Sequence, residues 1–176
     1  MKKSVLLLFF AGCVATGIFG IGRKIPMNRV NDLGQREGYW RDSVGGGFVY
    51  DLYYKGGKKD GLFKCFIRNE LFLFGEYTAD NMSGTWYMFG DEGELRCTID
   101  SIELNKDSIY TGYCRIFCKY KCYCADYYPS GAVKSEGYMV CDEDFMVDFW
   151  EIGEWKYYDE SGNLIKTKDY GDRRTP

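Results

Sequence analysis

The sequence lacks histidine entirely and contains little proline. Its 176 residues include no His and only three Pro. Histidine is the most common general base, the usual partner of a Ser or Cys nucleophile and the most common metal ligand, so the ordinary forms of these sites are excluded. We therefore predict a protein that is not an enzyme, with no catalytic residue and no bound cofactor or metal ion.

Positive charge is not concentrated in any part of the chain. The 23 Lys and Arg residues are nearly balanced by 26 Asp and Glu residues, which gives a formal net charge of −3. The basic residues are scattered and do not form the stripe that marks a nucleic-acid-binding surface. The composition therefore predicts no nucleic-acid partner.

What the chain has in quantity is aromatic side chains and glycine. It contains 16 Tyr, 12 Phe and 22 Gly, and no long runs of Leu, Ala or Glu. Aromatic residues favour strands and glycine favours tight turns, so this composition predicts many short strands. The length suits one domain with a modest core.

Residues 1–22 have the layout of a secretory signal, with two lysines, an apolar run and then small residues. Residues 10–13 (FAGC) resemble a bacterial lipobox without its usual Leu, which would make Cys13 the lipidated residue. Cleavage near Ala15 or Gly17 and retention as an uncleaved membrane anchor are the alternatives. All three predict an exported protein of the cell envelope, either membrane-anchored or secreted, with residues 23–176 as the folded domain.

A short frame recurs along the chain at a regular spacing. It is a glycine followed two residues later by a large aromatic side chain, and its four copies lie 23, 23 and 69 residues apart. The last interval is three times the first, and the two units between 107 and 152 keep the length without the frame. Self-similarity at a fixed spacing indicates a repeat protein. The pairs are Gly38 and Trp40, Gly61 and Phe63, Gly84 and Trp86, and Gly153 and Trp155.

Two copies of the frame continue into a turn. GTWYMFGDEGEL at 84–95 and GEWKYYDESGNL at 153–164 both place an aromatic residue sixth, Gly tenth and Leu twelfth. Strand-forming residues come before turn-forming residues, and Gly93 and Gly162 supply positive φ without a Cβ clash. Each unit therefore predicts one β-hairpin, used repeatedly.

The frame and its spacing resemble MORN repeats. The similarity is closest to the bacterial variant in YwqK-family antitoxins, whose unit resembles YYPSGAVKSEGY at 127–138 followed by the stretch at 153–164. It extends over about residues 32–170. Two stretches depart from the pattern: 97–126 lacks the glycine-aromatic frame, and 139–152 lengthens a connection that is usually short.

The resemblance implies an all-β fold, an elongated antiparallel meander of repeated β-hairpins of about 23 residues in a single twisted sheet. A lone hairpin is marginal in water, so each unit must bury its aromatic row on the next. We therefore expect a ladder of aromatic rings along one face. Charged residues at 166–174 would protect the C-terminal edge of the sheet.

A stack of repeats offers broad surface, which predicts a non-enzymatic protein-interaction module, a scaffold or binding protein with an unknown protein partner. MORN-type repeats are generally associated with scaffolding and with contact to membranes or lipids. The antitoxin resemblance implies an alternative, in which the protein neutralises an exported toxin by binding it. The remaining alternative is an enzyme, whose site would lie in 97–126, the least repeat-like stretch.

Eight cysteines are many for this length. Cys114, Cys118, Cys122 and Cys124 all have even numbers, so in one continuous strand their side chains would point to the same face. Three interpretations of their redox state and role are open: small buried hydrophobic side chains, disulfides between strands, or a thiolate metal site. The spacing lacks the paired turns of a zinc knuckle, so we adopt packing as the prediction.

Overall fold

A computed structural model describes residues 26–106, 118–142 and 149–171 of the chain. The predictions for residues 1–22, including lipidation of Cys13, and the prediction for Cys114 lie outside these ranges. In the described part of the chain, no helix is long and apolar enough to cross a membrane.

The described residues form eleven β-strands and no helix. All neighbouring strands pair antiparallel, and their order in the sheet is their order along the chain. This confirms the predicted all-β meander of hairpins in one open sheet. The strands are β1 (Arg29–Val30), β2 (Arg36–Gly45), β3 (Phe48–Lys55), β4 (Lys58–Ile67), β5 (Glu70–Thr78), β6 (Asn81–Phe89), β7 (Leu95–Leu104), β8 (Tyr120–Tyr127), β9 (Val133–Cys141), β10 (Phe149–Tyr158) and β11 (Leu164–Asp169).

The four hairpins from β2 to β6 close through two residues that both have positive φ. Two of these turns use glycine, and the other two use non-glycine residues with φ between 48° and 72°. Paired positive φ values match the right-handed twist of the flanking strands, so these turns fix the register of this half of the sheet. The pairs are Gly46 and Gly47, Gly56 and Gly57, Arg68 and Asn69, and Ala79 and Asp80.

A second kind of turn recurs four times, at 31–35, 90–94, 128–132 and 159–163. In each, the N–H of the first residue donates to the C=O of the fifth, and the N–H of a glycine in fourth place donates to the C=O of the first. Those glycines have φ between 74° and 83°. Gly93 and Gly162 occupy the fourth place in two of these turns. The turn at 31–35 was not predicted from the sequence.

The four glycines of the repeated frame lie at irregularities in the strand pairing. The register with the preceding strand shifts at three of them, Gly61, Gly84 and Gly153. The fourth, Gly38, comes directly after the two residues of β2 that pair with β1. All four have positive φ, from 60° to 120°. An extra residue in one strand makes a β-bulge, which bends that strand and increases its twist. Each copy of the glycine-aromatic frame therefore marks a position where its strand bends.

The main core lies on one face of the sheet, called the core face below. Its buried side chains come from every strand from β3 to β10. Because the strands make a single layer, these side chains cover one another, and the sheet must curve around them. Phe63, Tyr77 and Trp86 form the aromatic centre, with ring centroids 5.1 to 5.8 Å apart.

Among the described residues, the buried side chains of the core face do not form an unbroken ladder of aromatic rings. Between Trp86 and Trp155, most buried positions of β7 to β9 carry aliphatic or sulfur-containing side chains, although Tyr120 of β8 is a buried aromatic residue. The aliphatic and sulfur-containing residues include Cys97, Ile99, Cys124 and Met139. Stretch 97–126 therefore lacks the glycine-aromatic frame but contributes one buried aromatic ring, Tyr120, to the core.

Two glycines make room for the buried tryptophans. Gly75 of β5 lies beneath the indole of Trp86, and Gly137 of β9 is directly opposite Trp155 of β10. A Cβ at Gly137 would lie 2.5 Å from the Trp155 ring, and Gly75 leaves less space still. Only glycine allows the two indoles to lie this close to the neighbouring backbone.

The C-terminal edge of the sheet is β11, whose six residues are all exposed. Residues 166–169, the first part of the charged stretch expected to protect this edge, belong to the edge strand itself. Lys166 and Lys168 lie over aromatic rings, with ammonium-to-centroid distances of 4.4 Å to Tyr157 and 3.9 Å to Tyr170. Lysines on an edge strand disfavour pairing with another chain.

Candidate functional site

A groove on the core face crosses the strands from β6 to β10. Its volume is about 310 Å³. Met88, Met139 and Trp155 supply apolar surface, and Asp126 and Glu151 supply carboxylates. Ligand pockets range from about 300 to 1,000 Å³, so this groove has room for a small group or a protruding side chain.

The β10 side of the groove is held in place by several contacts. Trp155 donates its Nε1–H to the Tyr138 carbonyl at 2.7 Å, with Gly137 beneath the ring. Tyr157 shares a 2.6 Å hydrogen bond with the Tyr170 hydroxyl. Burial and this hydrogen bond raise the pKa of Tyr157 well above its usual value, so its hydroxyl stays neutral. The groove therefore has a preformed aromatic wall.

Two cysteines and a carboxylate meet on the floor of the groove. The Sγ atoms of Cys97 and Cys124 are 3.2 Å apart, and both side chains are buried. One carboxylate oxygen of Asp126 completes a group whose three atoms all lie within 4.8 Å of one another. Ser135 donates its hydroxyl to Asp126 Oδ2 at 2.9 Å, which orients the carboxylate.

The other described cysteines are also buried, and no disulfide joins any of the six to another described cysteine. Cys122 and Cys141 form a second close pair, with their Sγ atoms 3.5 Å apart. Cys122 and Cys124 share the core face, as predicted. The prediction is wrong for Cys118, which precedes the start of β8 and packs with Val140 in a separate cluster.

The thiols of Cys65, Cys122 and Cys124 are held in their neutral form. The hydrogen bond with Cys97, together with burial, raises the pKa of Cys124 far above that of a free thiol. The bond with Cys141 does the same for Cys122, and burial alone raises the pKa of Cys65 to about 11. The thiolate is the nucleophile in cysteine chemistry, so these side chains are not activated for catalysis at neutral pH.

The residues of the repeated frame are distributed along the sheet, and Trp155 is the member that lines the groove. Phe63 and Trp86 lie in the aromatic centre of the core. Trp40 is half-buried near the N-terminal end, where the guanidinium of Arg36 lies 4.4 Å from its ring centre. At Phe63 and Trp86 the aromatic rings are buried and hold neighbouring strands together.

Stretch 97–126, the alternative location of a catalytic site, contributes four groove residues: Cys97, Ile99, Cys124 and Asp126. Cys124 and Asp126 are two residues apart on β8, but no sequence motif joins them to Cys97, which meets them only through the pairing of β7 with β8. The arrangement suits binding, by packing against the apolar walls or by coordination through sulfur and oxygen.

Comparisons with protein-family models, with curated proteins and with solved structures find no match to this chain. The groove and the resemblance to MORN-type repeats are therefore the two grounds for a functional proposal.

Proposed function

We propose that the protein is an exported, non-enzymatic repeat protein that binds a partner protein in the groove of its core face. The observation that carries the proposal is the preformed apolar groove with an exposed aromatic residue, Phe149, at its border. The Phe149 side chain is 48% exposed although it lines the groove. Aromatic side chains beside a preformed pocket are typical sites of interface hot spots.

The shape and charge of the groove indicate which side chains of the partner would bind there. Its volume of about 310 Å³ admits a protruding apolar side chain, which would pack against Met88 and Tyr157. Asp126 and Glu151 outnumber the single cation Lys134 among the charged residues that line it. A basic residue beside the apolar anchor would complement these carboxylates.

The N-terminal segment supports a location in the cell envelope. The signal-like residues 1–22 direct export, and lipidation at Cys13 would tether the sheet to a membrane. A partner in the same compartment is therefore expected to be an envelope protein.

The test is affinity capture of partners from the cell envelope, followed by measurement of the dissociation constant with the purified partner. Phe149→Ala should weaken binding about tenfold, since it removes a rim aromatic from the interface. Leu62→Ala is the matched control, because Leu62 is 47% exposed and pairs with Glu76 on the opposite face of the sheet. Equal binding by the wild type and Phe149→Ala would contradict the proposal, as would a larger loss with Leu62→Ala.

A toxin is the second class of partner, which the resemblance to YwqK-family antitoxin repeats implies. The best-matching stretch, 153–164, supplies Trp155 and Tyr157 to the groove. Co-expression with an exported toxin encoded nearby would restore growth if the protein is an antitoxin, and Phe149→Ala would reduce that rescue. Capture of a partner without any effect on growth would support the scaffold function instead.

A further inference from the structure

We propose that Cys97, Cys124 and Asp126 form a binding site for one thiophilic divalent metal ion, with Zn²⁺ as the best match. The two Sγ atoms are 3.2 Å apart, and a carboxylate oxygen of Asp126 lies within 4.8 Å of both. Two sulfurs and one oxygen form a donor set that suits Zn²⁺ better than Mg²⁺ or Ca²⁺, because those two ions take oxygen ligands. This inference goes beyond the proposed function and does not depend on it.

The spacing of the sulfurs is close to what a shared metal ion needs. Two thiolates bound tetrahedrally to zinc, with bonds of about 2.3 Å, lie about 3.8 Å apart. The observed separation of 3.2 Å therefore needs to widen by a few tenths of an ångström. Both thiols would lose their protons on binding, and together with Asp126 they would supply three negative charges to the cation.

The strand register favours a metal ion over a disulfide at this place. Cys97 pairs directly with Asp126, and Cys124 pairs with Ile99, so the two cysteines are diagonal neighbours. Diagonal neighbours in a sheet have Cα atoms about 7–8 Å apart, whereas disulfides usually join Cα atoms about 4.4–6.8 Å apart. A metal ion can join cysteines at this longer Cα–Cα distance, because two metal–sulfur bonds then separate the sulfurs in place of one S–S bond.

The carboxylate has the supporting contact that metal ligands usually have. Ser135 of β9 donates to Asp126 Oδ2 at 2.9 Å and leaves the carboxylate able to bind through its other lone pairs. Asp126 is half-buried, and all three ligand residues line the groove. An ion can therefore enter from the groove, and a water molecule there would complete four-coordination.

The pair Cys122 and Cys141 is a built-in control. Its sulfurs are 3.5 Å apart, and both side chains are fully buried. Neither residue lines the groove, and no carboxylate joins them in a group of metal-ligating atoms among the described residues. We therefore place the metal at Cys97 and Cys124 and not at the second pair.

The experiment is a titration of the reduced, metal-free full-length chain with Co²⁺, followed by displacement with Zn²⁺. The wild type should show a thiolate-to-cobalt charge-transfer band that saturates at one ion per chain and disappears when Zn²⁺ is added. The double variant Cys97→Ser/Cys124→Ser should lose the band. Asp126→Asn, at a half-buried position, should keep the fold and weaken Zn²⁺ binding at least about tenfold, and Ser135→Ala should weaken it about tenfold.

The double variant Cys122→Ser/Cys141→Ser is the control for the loss of two buried thiols, and it should bind the ion like the wild type. Near-ultraviolet circular dichroism checks that each variant is folded. The proposal is overturned if the wild type gives no cobalt-thiolate band. It is also overturned if folded Asp126→Asn binds Zn²⁺ with unchanged affinity, or if the band depends on Cys122 and Cys141.

Discussion

At the scale of single residues, two glycines decide how the buried tryptophans pack. Gly75 and Gly137 lie in ordinary extended strands, and neither has the positive φ seen at the turns and bulges. They are needed because the Trp86 and Trp155 rings occupy the space that a Cβ would take. Each glycine and its indole therefore form one packing unit, so that a change in either member alters the effect of changing the other.

The substitution Gly75→Ala should lower the free energy of unfolding by about 3 kcal/mol, because the new methyl group overlaps the Trp86 ring. The measurement is urea-induced unfolding followed by circular dichroism. Gly84→Ala is the control: an added Cβ there meets no atom within 4 Å, and the strain of its positive φ costs about 1 kcal/mol. In a Trp86→Ala background, the added cost of Gly75→Ala should fall below about 1 kcal/mol. Equal costs in both backgrounds would contradict the packing unit.

The tryptophans themselves should be major contributors to stability. Trp86 and Trp155 are 1% and 4% exposed, so Trp86→Ala and Trp155→Ala should each lower the free energy of unfolding by about 3–5 kcal/mol. Trp40→Ala should have a smaller effect in the same urea unfolding measurement, because Trp40 is only half-buried. A loss below about 1 kcal/mol for Trp86 or Trp155 would show that these rings do not hold the sheet together.

At the scale of the element, the five-residue turn at 159–163 is stabilised by a carboxylate. Asp159 Oδ1 accepts hydrogen bonds from the backbone N–H groups of Ser161 and Asn163, each at 2.9 Å. Hydrogen bonds from the Asn163 side chain and backbone, and from Ser161, hold the pKa of Asp159 below its usual value. A lowered pKa in the folded state means that the contribution to stability is present above the unfolded-state pKa of about 3.9. It is lost as the pH falls through the folded-state pKa.

The turn at 159–163 should therefore loosen in acid. Protection factors for amide hydrogen exchange at Ser161 and Asn163 should fall as the pH drops from about 4 through the lowered pKa of Asp159, where its carboxylate becomes protonated. The turn at 128–132 has the same backbone hydrogen bonds but begins with Tyr128, so its protection should not follow this titration. Asp159→Asn should remove the pH dependence. A similar change in both turns would assign the effect to the whole sheet and not to Asp159.

The sequence predicts the hairpins better than it predicts their pairing. Gly93 and Gly162 mark turns because the need for positive φ is local and visible in the residue type. The bulge in β7 was not predictable, since Ser101 has a φ of 51° without any glycine to indicate it. The meeting of Cys97 with Cys124 depends on the register between two strands, including the shift beside Ser101. Register is set by contacts across the sheet, so the groove floor could not be derived from spacing along the chain.

At the scale of the whole molecule, each strand pairs only with its neighbours in the chain. Stability in such a sheet is approximately the sum of contributions from successive units and their interfaces. The ends have one neighbour, and both are exposed: β1 has two residues and β11 has six, all solvent-accessible. The middle strands carry the most deeply buried side chains, including Trp86 and Cys122. The sheet should therefore be least stable at its two ends.

This gradient should be visible in hydrogen exchange measured by mass spectrometry on the intact protein. Amides of β11 should exchange fastest together with those of β1, whereas amides of β6 and β8 should exchange only through global unfolding. The groove is built from slowly and rapidly exchanging strands. Cys97 and Cys124 belong to the middle strands, whereas Trp155 belongs to β10, which borders the edge strand. Binding of a partner or a metal ion in the groove should consequently slow exchange in β10 and β11 more than in β6. Protection of β11 equal to that of β6 in the free protein would contradict a sheet stabilised unit by unit.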